Sequence, residues 1–383
     1  MSKYRITLTP IDKFFFGGDM TFSVGKTTDD IKKAKKDKKE ITDKDEQEAT
    51  FNERFSSYII RSMMFPQQTS LLGMLRFLIL RNAGPTIFSN NKIIDTKAAE
   101  KIIGHQSFSV NADHHANNFG LIRSISQVKV ARKDNGEITE FDFCPLMNGI
   151  TLNEATMGLL NMQQISIPNI SEDKYKAKNG LTNSNKLTNG KDTIDLINKD
   201  EGIFVEDRRI GVNRNIITGL TDDDALFKQI SYRFNSKLGN FCFVFYADID
   251  DSLPLLNYDG EIVAIGGDNS QFVINISAKT MPETSITADA NTICLLSPTY
   301  IDNNVVRKAS FAITTLMPFR FLTSKIDVKS YHILSGELKR DKKYELYAPG
   351  SVFFFDSREE RDAFARGIDS YEEFKQIGYN QYK

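Results

Sequence analysis

Tryptophan is absent from the 383 residues, cysteine occurs three times and histidine four times. Cys144, Cys242 and Cys294 stand far apart with no CxxC spacing. That excludes a disulfide framework and a cysteine zinc site and leaves buried thiols. Neither HExxH nor HxH occurs, nor does GxxxxGK[ST], GxSxG, or GxGxxG after a strand. The common metalloprotease, phosphate-loop, hydrolase and dinucleotide motifs are therefore missing. Charge of one sign is lacking too, since 49 Lys and Arg oppose 50 Asp and Glu for a net charge of −1. Binding to nucleic acid by bulk positive charge is excluded, so any RNA or DNA site must be a local patch. No apolar run approaches the roughly 20 residues of a membrane helix. Met1-Ser2-Lys3-Tyr4 runs straight into alternating strand residues, with no secretory apolar region. The expectation is a soluble, cytoplasmic chain with no membrane partner.

What is present is apolar and aromatic: 40% hydrophobic residues, with 28 Phe and 13 Tyr, enough for a sizeable core. Tyr4 to Thr9 alternates as a half-buried strand does, and Pro10 ends it. Phe65 to Arg81 predicts a mostly buried helix capped at Thr69 or Ser70 and stopped by Asn82, Gly84 and Pro85. Ser70, Gly73, Arg76 and Arg81 form its thin polar seam, and Gly73 is expected to admit a close neighbour. Asp134-Asn135-Gly136 between Ile125–Arg132 and Glu137–Phe143 predicts a hairpin. Phe241 to Tyr246 reads as a central strand, and Gly266-Gly267-Asp268-Asn269 as a second tight turn. Residues 26–50 and 172–200, rich in Lys, Asp, Asn and Gly, read as surface insertions. A linker at Thr280 to Ser285 divides a domain of residues 1–280 from one of 285–383. The second domain should end in two short helices with capping boxes Ser357/Glu360 and Ser370/Glu373.

Few residues suggest chemistry. Asp113-His114-His115 could supply metal ligands or an acid–base pair, though no further ligand motif accompanies it. Gly-Gly-Asp occurs at Gly17-Gly18-Asp19 and at Gly266-Gly267-Asp268. Palm-type polymerases and cyclases hold metals on such a turn, but Met20 and Asn269 follow here, so paired carboxylates are lacking. A glycine turn that holds phosphate through N–H groups needs no metal. Arg208, Arg209, Asn213 and Arg214 form one basic group, Lys129 and Arg132 another, and Arg320, Lys325 and Lys329 a third. Phe14 to Phe16 and Phe319 to Phe321 lie near some of them. Cations track phosphates, and exposed aromatics stack unpaired bases. The same text also fits solvated charge beside core aromatics.

The order of several segments carries a resemblance. Ile6 to Gly18, Phe65 to Arg76, Ile265-Gly266-Gly267-Asp268 and Ala348 to Phe355 resemble blocks of the RAMP proteins. The closest likeness is to subunit three of the type III-B CRISPR effector, the Cmr complex. The resemblance implies an α+β chain of two ferredoxin-like (RRM-like) domains, the first carrying large insertions. It implies a non-catalytic subunit, without cofactor or metal, that binds the 5′ tag of the CRISPR RNA. Its other partners would be the large polymerase/cyclase-type subunit, the backbone RAMP subunits and, indirectly, target RNA. Gln68-Thr69-Ser70 becomes a candidate phosphate site, because a helix N-terminus presents free N–H groups. The hairpin Ile125–Phe143 would suit the family's projecting thumb. The candidate RNA-binding set is Gly17, Gly18, Gln68, Thr69, Ser70, Arg76, Lys129, Arg132, Arg208, Arg209, Asn213, Arg214, Gly266 and Gly267. Two alternatives stay open: a RAMP-type endoribonuclease using His114 or His115, and a palm-type nucleotidyl cyclase.

Overall fold

The structure, a computed structural model, describes residues 2–17, 20–23, 57–144, 150–151, 166–167, 186–198, 201–214, 221–282, 291–323, 339–340 and 343–383. The fold is mixed α and β, with mostly antiparallel sheets and few helices. In chain order the elements used below are β1 (Ser2–Pro10), β2 (Met20–Ser23), β3 (Ser57–Arg61), α1 (Gln68–Arg81), α2 (Thr96–Ile103), β4 (Ile122–Ile125), β5 (Lys129–Asp134) and β6 (Glu137–Phe143). They continue with β7 (Lys186–Thr188), β8 (Thr193–Asp195), β9 (Phe204–Arg214), β10 (Thr221–Phe234), β11 (Asn240–Ile249), β12 (Ile262–Ala264) and β13 (Gln271–Ala278). The remainder holds β14 (Thr292–Cys294), α3 (Asn303–Val306), β15 (Phe311–Ile313), β16 (Leu316–Phe319), β17 (Tyr344–Tyr347), β18 (Val352–Phe354), α4 (Arg358–Asp369) and α5 (Glu372–Gln376).

One large antiparallel sheet runs β8-β7-β6-β5-β11-β1-β13-β12, with β4 also pairing β11. Alternation in β1 sends Tyr4, Ile6 and Leu8 to one side, where they meet Phe243, Phe245 and Ala247 of β11 and the buried face of α1. Among the described residues the opposite side holds a small apolar patch of Ala131, Cys242 and Val244, with Ile138 packed against it. Strand β11 is therefore covered on both faces, as its unbroken apolar run predicts. The turn between β5 and β6 has Asn135 at φ 48° and Gly136 at φ 87°, the left-handed pair that a two-residue hairpin turn requires. Cys144, Cys242 and Cys294 are free and buried, and burial pushes the Cys242 thiol up to about 11 and that of Cys294 up to about 12.

A second sheet, β9-β10-β3-β2, carries the longest hairpin among the described residues. Strands β9 and β10 have 11 and 14 residues, so the hairpin reaches roughly 40–45 Å at about 3.4 Å per residue. Its root is fixed to the central sheet by Phe14, whose N–H donates to the Tyr232 carbonyl (2.7 Å) while the Tyr232 N–H donates back (3.0 Å). The C-terminal part builds a small sheet, β15-β18-β14, extended by residues 381–383 through paired bonds between Cys294 and Lys383 (2.8 and 2.9 Å). It owns a core of Ile293, Leu295, Phe353, Phe355, Phe364 and Ile368. Yet Phe319, Phe321, Tyr344, Phe374, Ile377 and Tyr379 join the large core of the first part. Of the linker expected at Thr280 to Ser285, residues 283–285 lie outside the described residues, and the core takes side chains from both sides of that position.

Several local expectations change. Helix α1 begins at Gln68 with Gln67 as its N-cap and no side-chain cap, so neither Thr69 nor Ser70 caps it. Gly73 faces open space, because nothing lies within 4 Å of an added Cβ. The predicted thumb is instead an interior hairpin: β5 pairs with β11 and β6 with β7, so both outer edges are occupied. Part of the second insertion, residues 186–198, is ordered as β7 and β8, with Leu187 and Leu196 fully buried. Residues 26–50 and 172–185 lie outside the described residues. Ser357 does cap α4 through the Glu360 N–H at 3.2 Å, whereas Ser370 ends α4 and Tyr371 stands before α5.

Candidate nucleic-acid interface

Strand β9 reads Phe204-Val205-Glu206-Asp207-Arg208-Arg209-Ile210-Gly211. Pairing with β10 and β3 assigns the two faces by the two-residue period. Arg208 opposes Ile230, Ile210 opposes Lys228, and Ile230 in turn opposes Arg61. Arg61, Glu206, Arg208, Ile210 and Lys228 thus share one face. Ile210 is 71% exposed, the most open large apolar side chain among the described residues. Glu206 holds Arg208 through two bonds (2.9 and 2.7 Å) and also pairs with Arg61. Partial burial alone would raise the Glu206 carboxyl, but the Arg208 and Arg61 guanidinium groups outweigh it and hold the group below its ordinary value. The Tyr232 hydroxyl and Glu206 hold Arg61 above its own. On the other face Arg209 lies 3.6 Å from Asp207, which Lys13 also reaches at 3.1 Å. One carboxylate shared by two cations leaves cationic capacity for a phosphate.

At the root of the first face lies a cavity of about 340 Å³. Arg61 and Tyr232 from the hairpin sheet, Met63 to Gln68 entering α1, Gln127 and Val128 before β5, and Phe143 line one part of it. Leu296 to Pro298, Met317, Pro349 and Tyr379 from the C-terminal part close the rest. Gln127 is 3% exposed, and neither its amide nitrogen nor its oxygen has a partner among the described residues. Oε1 of Gln68 is unpaired in the same wall.

The sequence-predicted residues separate into three groups. Arg208 and Arg209 are exposed on the hairpin, and Asn213 and Arg214 continue the same strand. A second group is turned inward. Gln68 is 2% exposed and donates to the Ser126 and Ile377 carbonyls, both at 2.7 Å. Its backbone N–H points at the Tyr379 hydroxyl, whose pKa burial raises and that N–H partly restrains. The helix start is therefore closed by the chain's own C-terminal tail, with Thr69 and Ser70 half-buried beside it. Arg76 donates from Nε to the Ile103 carbonyl (2.9 Å) and caps α2, while burial lowers its pKa to about 10. Gly267 gives its N–H to the Phe15 carbonyl (2.7 Å), and an added Cβ at Gly266 would overlap that same oxygen. This glycine turn exists to pack on Phe15, not to present N–H groups outward.

The third group is neutralised or lies elsewhere. Lys129 pairs with Asp142 at 2.8 Å and is 12% exposed, and Arg132 pairs with Asp134 at 2.6 Å. Gly17 accepts the Met63 N–H at 2.7 Å, and Gly18 lies outside the described residues. Phe14, Phe16, Phe319 and Phe321 are core residues, so they are not stacking platforms. His114 holds the fully buried Glu373 at 2.7 Å, which fastens its loop to α5. No group of three His, Cys, Asp or Glu side chains among the described residues could hold a metal. Arg61, Ile210, Tyr232 and Gln127 escaped the sequence reading. Only the alternation of Arg208 and Ile210 hinted at this face, and Gln127 carried no signal.

Mostly antiparallel sheets with few helices, and a long hairpin that bears exposed arginines beside a largely apolar cavity, define the architecture of the described residues. The chain belongs to the CRISPR-associated protein family Cas_Cmr3, whose model matches residues 173–382, more than half its length. Among solved structures it is similar to a chain in a cryo-EM structure of the Type III-B Cmr-beta bound to cognate target RNA. That match has 14% identity and a TM-score of 0.50 and covers 99% of this chain and 96% of that one. A chain in the same assembly with target RNA and AMPPnP, state 1, matches at 14% identity and a TM-score of 0.49, covering 99% and 95%. At this identity the likeness is one of fold. No curated protein matches.

Proposed function

We propose that this chain is a non-catalytic subunit of a type III-B CRISPR effector complex that grips the 5′ tag of the CRISPR RNA. In that reading it also joins the large polymerase/cyclase-type subunit to the backbone RAMP subunits. The observation that carries the RNA-binding part is the Arg208–Ile210 face of the long hairpin, where shared carboxylates leave cations available beside an exposed apolar side chain. Family membership supports the setting, and the similar chain comes from an assembly bound to target RNA.

Strand order supports two ferredoxin-like units as the scaffold. Taking β1, β5, β11 and β13 as first to fourth, the sheet order is 4-1-3-2, all antiparallel, with α1 after the first strand. Taking β14, β15, β18 and residues 381–383 likewise gives the same order, with α3 after the first strand and α4 after the third. In the first unit a 3-10 turn, Leu255–Tyr258, stands where the second helix would be. We assign the first unit to the residues before the 283–290 segment and the second to those after it, sharing part of one core.

Arg208→Ala combined with Arg209→Ala should weaken CRISPR RNA binding by the assembled complex. Each lost phosphate contact should lower the slope of log affinity against log salt by about 0.7. A salt titration by filter binding reads both effects. An unchanged slope with unchanged affinity would remove the hairpin from the RNA path.

A further inference from the structure

Beyond the RNA-binding reading, and independent of it, we infer that the outer edge of β9 docks an extended segment of a partner protein in which acidic and apolar side chains alternate. The direction of the β9 main chain follows from its neighbours. Tyr232 spends its N–H and C=O on Phe14, and Glu206 stands opposite Tyr232 in the β9–β10 pair. Glu206 therefore makes no ladder bond to β10 and points its own N–H and C=O outward. By the two-residue period Phe204, Arg208 and Ile210 point the same way. Two bonds at the root agree. The Phe204 N–H donates outward to the Leu196 carbonyl at 2.9 Å, while the Ile203 carbonyl, one position earlier, accepts the Asn235 N–H from β10's side at 2.8 Å. Beyond Phe204 the edge is bare. Among the described residues β9 has β10 as its one strand neighbour, and no main-chain bond reaches Glu206, Arg208 or Ile210 from the outer side.

An open row of N–H and C=O groups is matched by another polypeptide strand, which supplies the same alternation. The two faces of β9 name that strand's side chains, because an added strand sets alternate residues beside each face. On one face its neighbour is Ile210, 71% exposed, which an apolar side chain would cover. On the other it is Arg209, with its side chain 64% exposed. Its partner Asp207, at 3.6 Å, is also held by Lys13 at 3.1 Å. A carboxylate on the added strand would complete Arg209. A second copy of this chain is a poor occupant. Pairing Glu206, Arg208 and Ile210 with themselves sets Arg208 against its own counterpart, and like charges directly opposite destabilise a sheet.

The test uses the full chain and a labelled peptide of about seven residues, alternating glutamate and valine. In the free chain the outward amides of Glu206, Arg208 and Ile210 should exchange hydrogen fast and the inward amides of Asp207 and Arg209 slowly. Peptide should slow the outward set. Ile210→Pro removes an outward N–H that gives β10 no bond, so the chain should melt close to wild type. By fluorescence anisotropy it should bind the peptide about tenfold more weakly, or worse. Arg209→Glu should reverse the preference for this peptide over one alternating lysine and valine. Four results overturn the inference. Slow exchange at Arg208 and Ile210 in the free chain means that the chain's own residues hold the edge. Undiminished binding by Ile210→Pro puts the peptide elsewhere. A peptide of the same composition with its glutamates in one block, bound equally well, reduces the effect to charge. No binding of the alternating peptide by wild type removes the docking site. Should Ile210→Pro fail to fold, the exchange pattern of the wild-type chain with and without peptide decides alone.

Discussion

Phe14→Ala is expected to cost about 3–5 kcal/mol, the usual loss for a fully buried phenylalanine. The ring is 1% exposed and touches five others: Phe16 at 4.9 Å, Phe243 at 5.4 Å, Phe234 at 5.7 Å, Phe272 at 6.0 Å and Phe204 at 6.1 Å. Phe204 and Phe234 start and end the long hairpin, while Phe243 and Phe272 belong to the central sheet. Phe14 is thus the apolar joint between the two sheets. Its removal should loosen the hairpin root before the central sheet melts, because local openings follow the weakest packing. Denaturant unfolding reads the total loss, and limited proteolysis between residues 204 and 234 reads the local one. A loss below about 1 kcal/mol, with proteolysis unchanged, would show that the joint lies elsewhere.

Gly378→Ala is expected to cost about 3 kcal/mol or more by a different route. Gly378 has φ +84°, a conformation that side chains rarely adopt. An added Cβ would also overlap Gln68 Nε2 and the Ser126 carbonyl. Those groups form the knot in which Gln68 ties Ser126 to Ile377 and so fastens the C-terminal tail over the start of α1. Displacing Gln68 leaves two buried carbonyls without their donor, each worth about 1–3 kcal/mol. Adding Gln68→Ala should recover part of the clash, so the double variant should lose less than the sum of the single ones. Strict additivity in urea unfolding would mean that the two residues do not meet in solution.

The regular elements were legible because their signals are local. Alternation located β1, the Asn-Gly turn located the β5–β6 hairpin, and the unbroken run from Phe241 to Tyr246 marked the central strand. Ser357 capped α4 as its spacing required. Direction was harder to read. Gln68, Arg76, Gly266 and Gly267 have the residue types of a phosphate site, yet their partners come from 27 to more than 300 positions away, as in Arg76 with Ile103 and Gln68 with Ile377. No local window holds that information. Phe14 to Phe16 looked equally suited to bases or to a core, and only the meeting of two sheets decides between them. The thumb was misplaced because a strong turn signal marks a hairpin without saying whether neighbouring strands will cover its edges. The candidate cavity draws residues from nine separated stretches, including Gln127, so only the folded chain reveals it.

The most direct test of the tag-gripping role is the affinity of the assembled complex for CRISPR RNA with its 5′ tag intact and with the tag removed. The comparison is made with the wild-type chain and with Arg61, Arg208 and Arg209 all changed to alanine. The account predicts that wild type prefers tagged RNA by at least about tenfold, the worth of roughly one specific contact, and that the triple variant binds both RNAs alike. Equal affinity of the wild-type complex for the two RNAs, or a tag preference that survives the triple substitution, would contradict it.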